Sequence, residues 1–599
     1  MCGIVGLLQR NQPISRELFT ELRDSLHHRG PDGGGSEFFQ EDRVALGHRR
    51  LSIIDLSEDG RQPMTNEDRT LWLTFNGEIY NYQGLKTELV AAGHRFASNT
   101  DSEVLLHGYE QWGLGLLDRL EGMFAFALWD DTRQELLLVR DRVGIKPLYW
   151  HYDGQRLGFG SELKAIVTHP EVRREVDWQA VSDYLVHRFI PQPRTIWKNI
   201  QKLGPGQFLR YSFAEGAPEV KTYWQLKPGQ KQVAQAEAVE QAREMLQQSV
   251  KEQLMADVPL GVFLSGGYDS SALVMHMADL GVDIQSFAIG FEGWKKSEHG
   301  FAREVADTFG TQHHEWVLKE EMTGLAEKLA YHYDEPLGGS SFLPTYLVSQ
   351  KAREHVKVIL SGDGGDEVFA GYDWHQRLMR NWYPQGGLGA QLKGMAKRSL
   401  RTMDLPALYQ EYTSWAGFDY AMLSQLGDPQ LFKEYSGQQP ADLYRDRLPK
   451  GLGPVKSFQY LDYQTLMSEV FLTKVDRASM ANSLEVRVPF LYGPLMEYTM
   501  GLDESVYYRQ DTTKLLLHHQ LKGRVPNSIL KKPKKGFGAP RQLFLSRKIV
   551  EEALGNGVLL KEGVLQPSAY QAMLEQDKLA QLWAWYILEY WWRTWKPTA

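Results

Sequence analysis

The chain has 599 residues, is 42% apolar and 12% aromatic, and carries a formal net charge of −8 and one cysteine. That length implies two to four domains, and the charge excludes a global basic field that would draw nucleic acid or an anionic membrane. One cysteine excludes a disulfide scaffold, and neither a run of about 18 apolar residues nor a signal-peptide pattern is present, so the expectation is a cytoplasmic enzyme with no membrane or nucleic-acid partner.

The chain opens MCGIVGLL, with its cysteine directly behind the initiator methionine. Removal of that methionine would leave Cys2 with both a thiol and an α-amine of pKa near 8. Nucleophile and base would then be one residue. The spacing of Leu18, Leu22 and Leu26 predicts a helix that stops at Gly30-Pro31. RVALGHRRLSIID and RTLWLTFNGEIYN read as strands ending in polar turns, and GMFAFALWDDTRQELLLVRD as a hairpin. Asn76 and Gly77, at a strand end, are candidate donors to an oxyanion.

Residues 211–233, rich in Gly, Pro and Lys, are expected to be a linker. Beyond them, AQAEAVEQAREMLQQSVKEQL is an amphipathic helix and VPLGVFLSGGYDSSALVMHMADLG a strand–loop–helix. DIQSFAIGFEG and HVKVILSGDGGDEVFAGY add two more strands entering polar loops, so a parallel α/β sheet is expected. In LSGGYDSS two glycines let backbone N–H groups approach an anion at a helix amino terminus. No G-K-[ST] follows, which rules out a Walker loop. LTKVDRASMANSLEVRVPFL gathers Lys474, Asp476, Arg477, Glu485 and Arg487 in one helix–turn stretch, and the Trp-rich end of the chain reads as core packing.

In order, MCGIVG, HHRGPDG, GHRRLSIIDL, TFNGEIYNY, SNTDSEVLLHGY and GMFAFALWD resemble the class II glutamine amidotransferase domain, an N-terminal-nucleophile hydrolase fold, over about residues 2–200. The resemblance implies that Cys2 forms a γ-glutamyl thioester and releases ammonia. Arg50 would clamp the glutamine carboxylate and Asp101 its amine. Asn76 and Gly77 would form the oxyanion hole, with Leu51, Ile53 and Glu78 lining the pocket. S-G-G-x-D-S resembles the pyrophosphate loop of N-type ATP pyrophosphatases. It implies ATP contacts from Leu264, Ser265, Gly266, Gly267, Asp269 and Ser270, with Ile289 at the adenine and Ser361 and Gly362 in the second loop. Asp363 would stand where asparagine synthetases often have glutamate, Arg477 would face the phosphates, and Asp269 and Asp366 would serve Mg²⁺.

The whole chain resembles glutamine-dependent asparagine synthetases of the B type. The implied fold is an α+β sandwich domain (2–210), the linker (211–233) and an α/β parallel-sheet synthetase domain with a helical carboxy-terminal part (234–599). The implied acceptor is aspartate, and a homodimer is left open. Tyr268, Trp374, His375, Tyr492-Gly493 and His518 depart from the family pattern near the segments that frame the acceptor. Another carboxylate, such as a uronic acid or a peptide, therefore stays open as the acceptor.

Overall fold

The continuous apolar run GIVGLLQ, buried on both faces, builds the centre of the first unit. In the computed structural model, which describes every residue except 214, 295–296, 319–323, 383–403, 415–416, 508–511, 533–535, 539–545 and 598–599, strand Gly3–Gln9 lies between Val44–Arg50 and Arg156–Gly160 in a six-stranded antiparallel sheet. Ile4 and Leu8 point to one face, where they meet Ala125, Ala127, Leu136 and Leu138 of a second six-stranded sheet. Val5 and Leu7 point to the other, against Phe19 and Leu22 of helix Arg16–Asp24. The second sheet packs its far face, Leu73, Phe75 and Phe126, on helices Tyr82–Ala91 and Glu103–Trp112. The result is the expected sandwich of two sheets between helices. The predicted hairpin is formed by Gly122–Asp130 and Glu135–Arg140.

The expected linker 211–233 is corrected in its first half. Strand Pro218–Thr222 pairs with Gln207–Ser212 and extends the second sheet to its edge. This strand is mostly exposed on both faces, so its sequence carries no apolar alternation and resembles a linker. Tyr223 and Trp224 still donate backbone N–H groups to Gly206 O. Beyond them the chain is tied to the second unit, with Gly229 and Lys231 donating to Met500 O and Gly501 O.

That second unit holds a parallel sheet in the order Gln312–Leu318, Gln285–Phe291, Leu260–Phe263, Val358–Leu360, Glu485–Arg487. In chain order this reads 3-2-1-4-5, so the direction of winding reverses between Leu260–Phe263 and Val358–Leu360. Ligands of open α/β sheets bind at the carboxyl ends of the strands flanking such a reversal. Glu485–Arg487, read from sequence as part of a helix–turn stretch, is in fact the fifth strand. The Trp-rich tail is helix Leu579–Trp595, with Trp583, Trp585, Trp591 and Trp592 buried as expected. The two units share this packing: Tyr184 donates to Ala584 O at 2.9 Å, and Trp197 lies 5.0 Å from Trp591.

Candidate active sites

The interior of strand Leu71–Ile79 and the segment just after strand Val44–Arg50 meet at Cys2. Its backbone N–H donates to Asn76 Oδ1 at 2.9 Å, and its Sγ lies 4.0 Å from Leu51 O. Asn76 sits in strand Leu71–Ile79, fully buried, and its Nδ2 is a donor with no hydrogen-bond partner among the described residues. A buried unpaired amide is costly, which fits a group that awaits a ligand. Gly77 is required by space, since a Cβ there would lie 2.1 Å from Met123 O. Asp101 accepts the Ile79 N–H at 2.7 Å, and burial lifts its carboxyl to about 6. Burial and then the neighbouring Asp101 raise Glu78 well above the usual carboxylate range.

Arg50 is held by the carbonyls of Ser57, at 2.8 Å, and Asp55. The turn passes so close that a Cβ on Gly60 would meet Arg50 Nη2 at 1.9 Å and Thr100 Cγ2 at 3.1 Å. The loop bearing Arg50 and the loop bearing Asp101 therefore share one rim. Ile53 is near this pocket but serves the domain seam: its carbonyl accepts the Asp257 N–H at 2.9 Å. Met1 is buried, its ammonium pairing with Glu485 Oε2 at 2.7 Å, so Cys2 Nα is here a peptide nitrogen. Burial pushes the Cys2 thiol up, against the opposing pull of that ammonium.

Met1 packs with Leu51 and Ile53 from the first unit and Val358 and Met480 from the second. This apolar seam lies at the amino edge of the parallel sheet. Strand Val358–Leu360 starts in the seam and ends at Ser361, about 10 Å further on.

At that carboxyl edge lies a cleft of ≈ 290 Å³. Strand Leu260–Phe263 enters its first loop and helix Tyr268–Asp279 leaves it. Gly266 takes φ +66° against Phe301, where a Cβ would come to 2.4 Å. Ser265 N–H donates to Ser270 Oγ at 3.2 Å and Gly267 N–H to Ser265 Oγ at 3.3 Å, which folds the loop around its own hydroxyls. Leu264, Gly267, Asp269 and Ile289 line the cleft with Ser361, Gly362, Asp363 and Asp366 of the second loop. The two loops touch: a Cβ on Gly365 would meet Asp269 Oδ1 at 2.3 Å.

Between them stands a lysine that no sequence motif singled out. Lys514 Nζ lies 2.5 Å from Asp269 and 2.8 Å from Asp366, its side chain buried and its backbone left-handed at φ +48°. Lys474 faces the cleft too, 3.6 Å from Asp363, whose other oxygen accepts from Ser361 Oγ at 2.5 Å. Deeper, Tyr372 donates to Glu367 at 2.6 Å, and burial raises the Glu367 carboxyl to about 8.

Arg477 is corrected. One helical turn beyond Lys474, it turns away from the cleft into a buried cluster, pairing with Glu162 at 2.8 Å and Asp334 at 3.7 Å. Arg29 joins the same cluster, bridging Glu162 and Asp476, and Lys164 pairs with Asp334. Residues three apart lie only about 60° apart around a helix and share a face, so neither charge nor spacing could tell from the sequence which of the two cations faces the cleft. The departures from the family pattern also part company. Tyr268 donates to Leu530 O at 2.7 Å and lies 3.1 Å from His518 Nδ1 at the cleft. His375 instead pairs with buried Asp462, and Tyr492-Gly493 lies at a separate small pocket between the units, with Glu121 and Arg142. Of the basic segment Lys531–Pro540, Lys532 lines the cleft and bonds Ser265 O at 3.0 Å; Lys534 and Lys535 lie outside the described residues.

Residues 1–224 match the family described as "Glutamine amidotransferase domain", and residues 241–593 the one described as "Asparagine synthase". The chain is 33% identical to asparagine synthetase [glutamine-hydrolyzing] 1 of Bacillus subtilis, over 99% of this chain and 96% of that protein. It is 34% identical to a putative asparagine synthetase [glutamine-hydrolyzing] 2 of Methanocaldococcus jannaschii, over 82% of this chain and 100% of that one. A more distant relative, amidase chry2 of Gibberella zeae, is 28% identical over 92% and 91%. With both family matches in place and full-length relatives above 30% identity, the chain belongs to the asparagine synthase family.

Proposed function

We propose that the chain is a glutamine-dependent asparagine synthetase. Glutamine is hydrolysed at Cys2, ammonia crosses the seam, and it attacks an aspartate carboxylate activated as an acyl-adenylate in the cleft. The observation that carries this reading is the apolar seam of Leu51, Ile53, Val358 and Met480, which touches the Cys2 end on one side and on the other holds the start of strand Val358–Leu360, whose far end opens on the cleft. Neutral ammonia is the nucleophile, and an apolar lining disfavours its charged ammonium form.

Removal of Met1 exposes an α-amine on Cys2, which takes the thiol proton as sulfur attacks the glutamine carboxamide. Asn76 Nδ2, buried and unpaired, suits the oxyanion that develops. Arg50 matches the substrate carboxylate, and Asp101 its ammonium. In the cleft the loop Leu264–Ser271 receives the nucleotide phosphates, and Lys514 and Lys474 balance charge on the departing pyrophosphate. Asp269 and Asp366 are hard oxygen donors from different loops brought to one lysine, a donor set that fits Mg²⁺; bound there, the ion would neutralise phosphate charge. No helix among the described residues is long and apolar enough to cross a membrane, and a lone free thiol fits a reducing cytoplasmic compartment.

Cys2→Ala tests the reading: amidation supported by glutamine should vanish while amidation supported by ammonium salts persists. Glutamine use at the wild-type rate would overturn it. A second acceptor is favoured by one observation, the Tyr268–His518 contact at the cleft where the family pattern differs. Pyrophosphate release assayed against aspartate, uronic-acid sugars and peptides separates the two.

A further inference from the structure

Helix Glu103–Trp112 on the outer face of the first unit carries His107 and Glu110 one turn apart, and His94 reaches them from the turn after helix Tyr82–Ala91. We propose that His94, His107 and Glu110 form a binding site for a zinc-class divalent ion. Glu110 Oε2 lies 2.9 Å from His107 Nδ1 and 3.4 Å from His94 Nδ1, and the three ligand atoms fall within 4.8 Å of one another. Ligands at about 2.0–2.1 Å from a tetrahedral ion are separated by about 3.3 Å, so the cluster closes on an ion with small side-chain movements. Two imidazoles and one carboxylate are the donor set of a borderline divalent metal rather than of Mg²⁺ or Ca²⁺.

Two of the ligands are also hydrogen-bonded from behind, and a carboxylate stands behind the third. His107 Nε2 is 3.4 Å from Glu103 Oε1, His94 Nε2 is 3.1 Å from Gln111 Oε1, and Glu110 Oε1 accepts from Asn66 Nδ2 at 2.8 Å. A carboxylate or carbonyl on the far nitrogen of each histidine is the arrangement that orients metal-bound imidazoles. Access is open, because the His94 and Glu110 side chains keep 17% and 26% of their surface while His107 is buried. Three protein ligands leave a fourth position for water. The place matters to the first site: Glu103 also accepts the N–H groups of Ala97 and Ser98, at 2.7 and 2.8 Å, in the loop that leads to Asp101. An ion on His107 would brace that loop through Glu103.

The test is Zn²⁺ uptake by the full-length protein after chelator treatment, measured by competition with a chromophoric indicator and repeated with Co²⁺ as an optical probe. The wild type should take up an equivalent of Zn²⁺ that His94→Ala and Glu110→Gln each hold at least about tenfold more weakly. Bound Co²⁺ should show visible absorption of low-coordinate type in the wild type alone. Both substitutions fall on partly exposed side chains, and Glu110→Gln keeps an acceptor for Asn66, so folded variants are expected. Identical Zn²⁺ binding by all three proteins, or none by the wild type, overturns the proposal and leaves the cluster a hydrogen-bonded imidazole–carboxylate network.

Discussion

Lys514 carries a charge where helix electrostatics disfavours one. It opens helix Leu515–Leu521, whose amino terminus is the positive end of the dipole. Asp269 and Asp366 offset that cost and set the ammonium at the cleft floor. Lys514→Met should therefore lower the rate of amidation with either nitrogen source by about 10²–10³-fold, and leave glutamine hydrolysis intact; steady-state assays of the two half-reactions check this. Asp101 gives a pH dependence. Its carboxyl sits at about 6, so it is ionised above that pH and neutral below it. A substrate ammonium loses its counter-charge as the pH falls through about 6, and the KM for glutamine should rise there, as a KM profile of glutamine hydrolysis from about one pH unit below that value to about two above it would record. Lys514 was illegible in the sequence because a lone lysine before three leucines matches no loop motif. Its one signal was the misplaced charge itself.

Elements were legible where the period was strong and the loop chemistry distinctive. The hairpin and the strand–loop–helix of LSGGYDSS stand where their patterns put them. Pro218–Thr222 and Glu485–Arg487 did not, since the first is solvent-facing and the second is a three-residue strand flanked by helix. Short strands are specified by their neighbours more than by their own residues. The glycines of the two cleft loops make a sharper statement. Gly364 takes φ +92°, and a Cβ there would lie 2.6 Å from Leu491. Gly364→Ala should therefore weaken ATP binding and lower stability together, whereas Gly300→Ala, with open space at its Cβ, should change neither; nucleotide titration and thermal melts distinguish them.

At the scale of the whole molecule, the two units are locked by a buried set of charges from both: Arg29, Glu162 and Lys164 with Asp334, Asp476 and Arg477. Three cations and three anions balance, so removing one strands its partners. Arg29→Met should lower stability by about 3–5 kcal/mol, read from denaturant unfolding, far more than loss of an exposed pair such as Arg16–Asp42. The strand Glu485–Arg487 has a further role in this assembly. Glu485 grips the chain's first nitrogen, the Arg487 guanidinium stands 3.3 Å from Glu78, and the Arg487 carbonyl receives the Ser361 N–H at 2.8 Å. Three residues thus serve as a crossbar that both chambers lean on. Thermodynamic reciprocity then demands that whatever factor nucleotide imposes on glutamine binding through this strand, glutamine imposes on nucleotide binding in return.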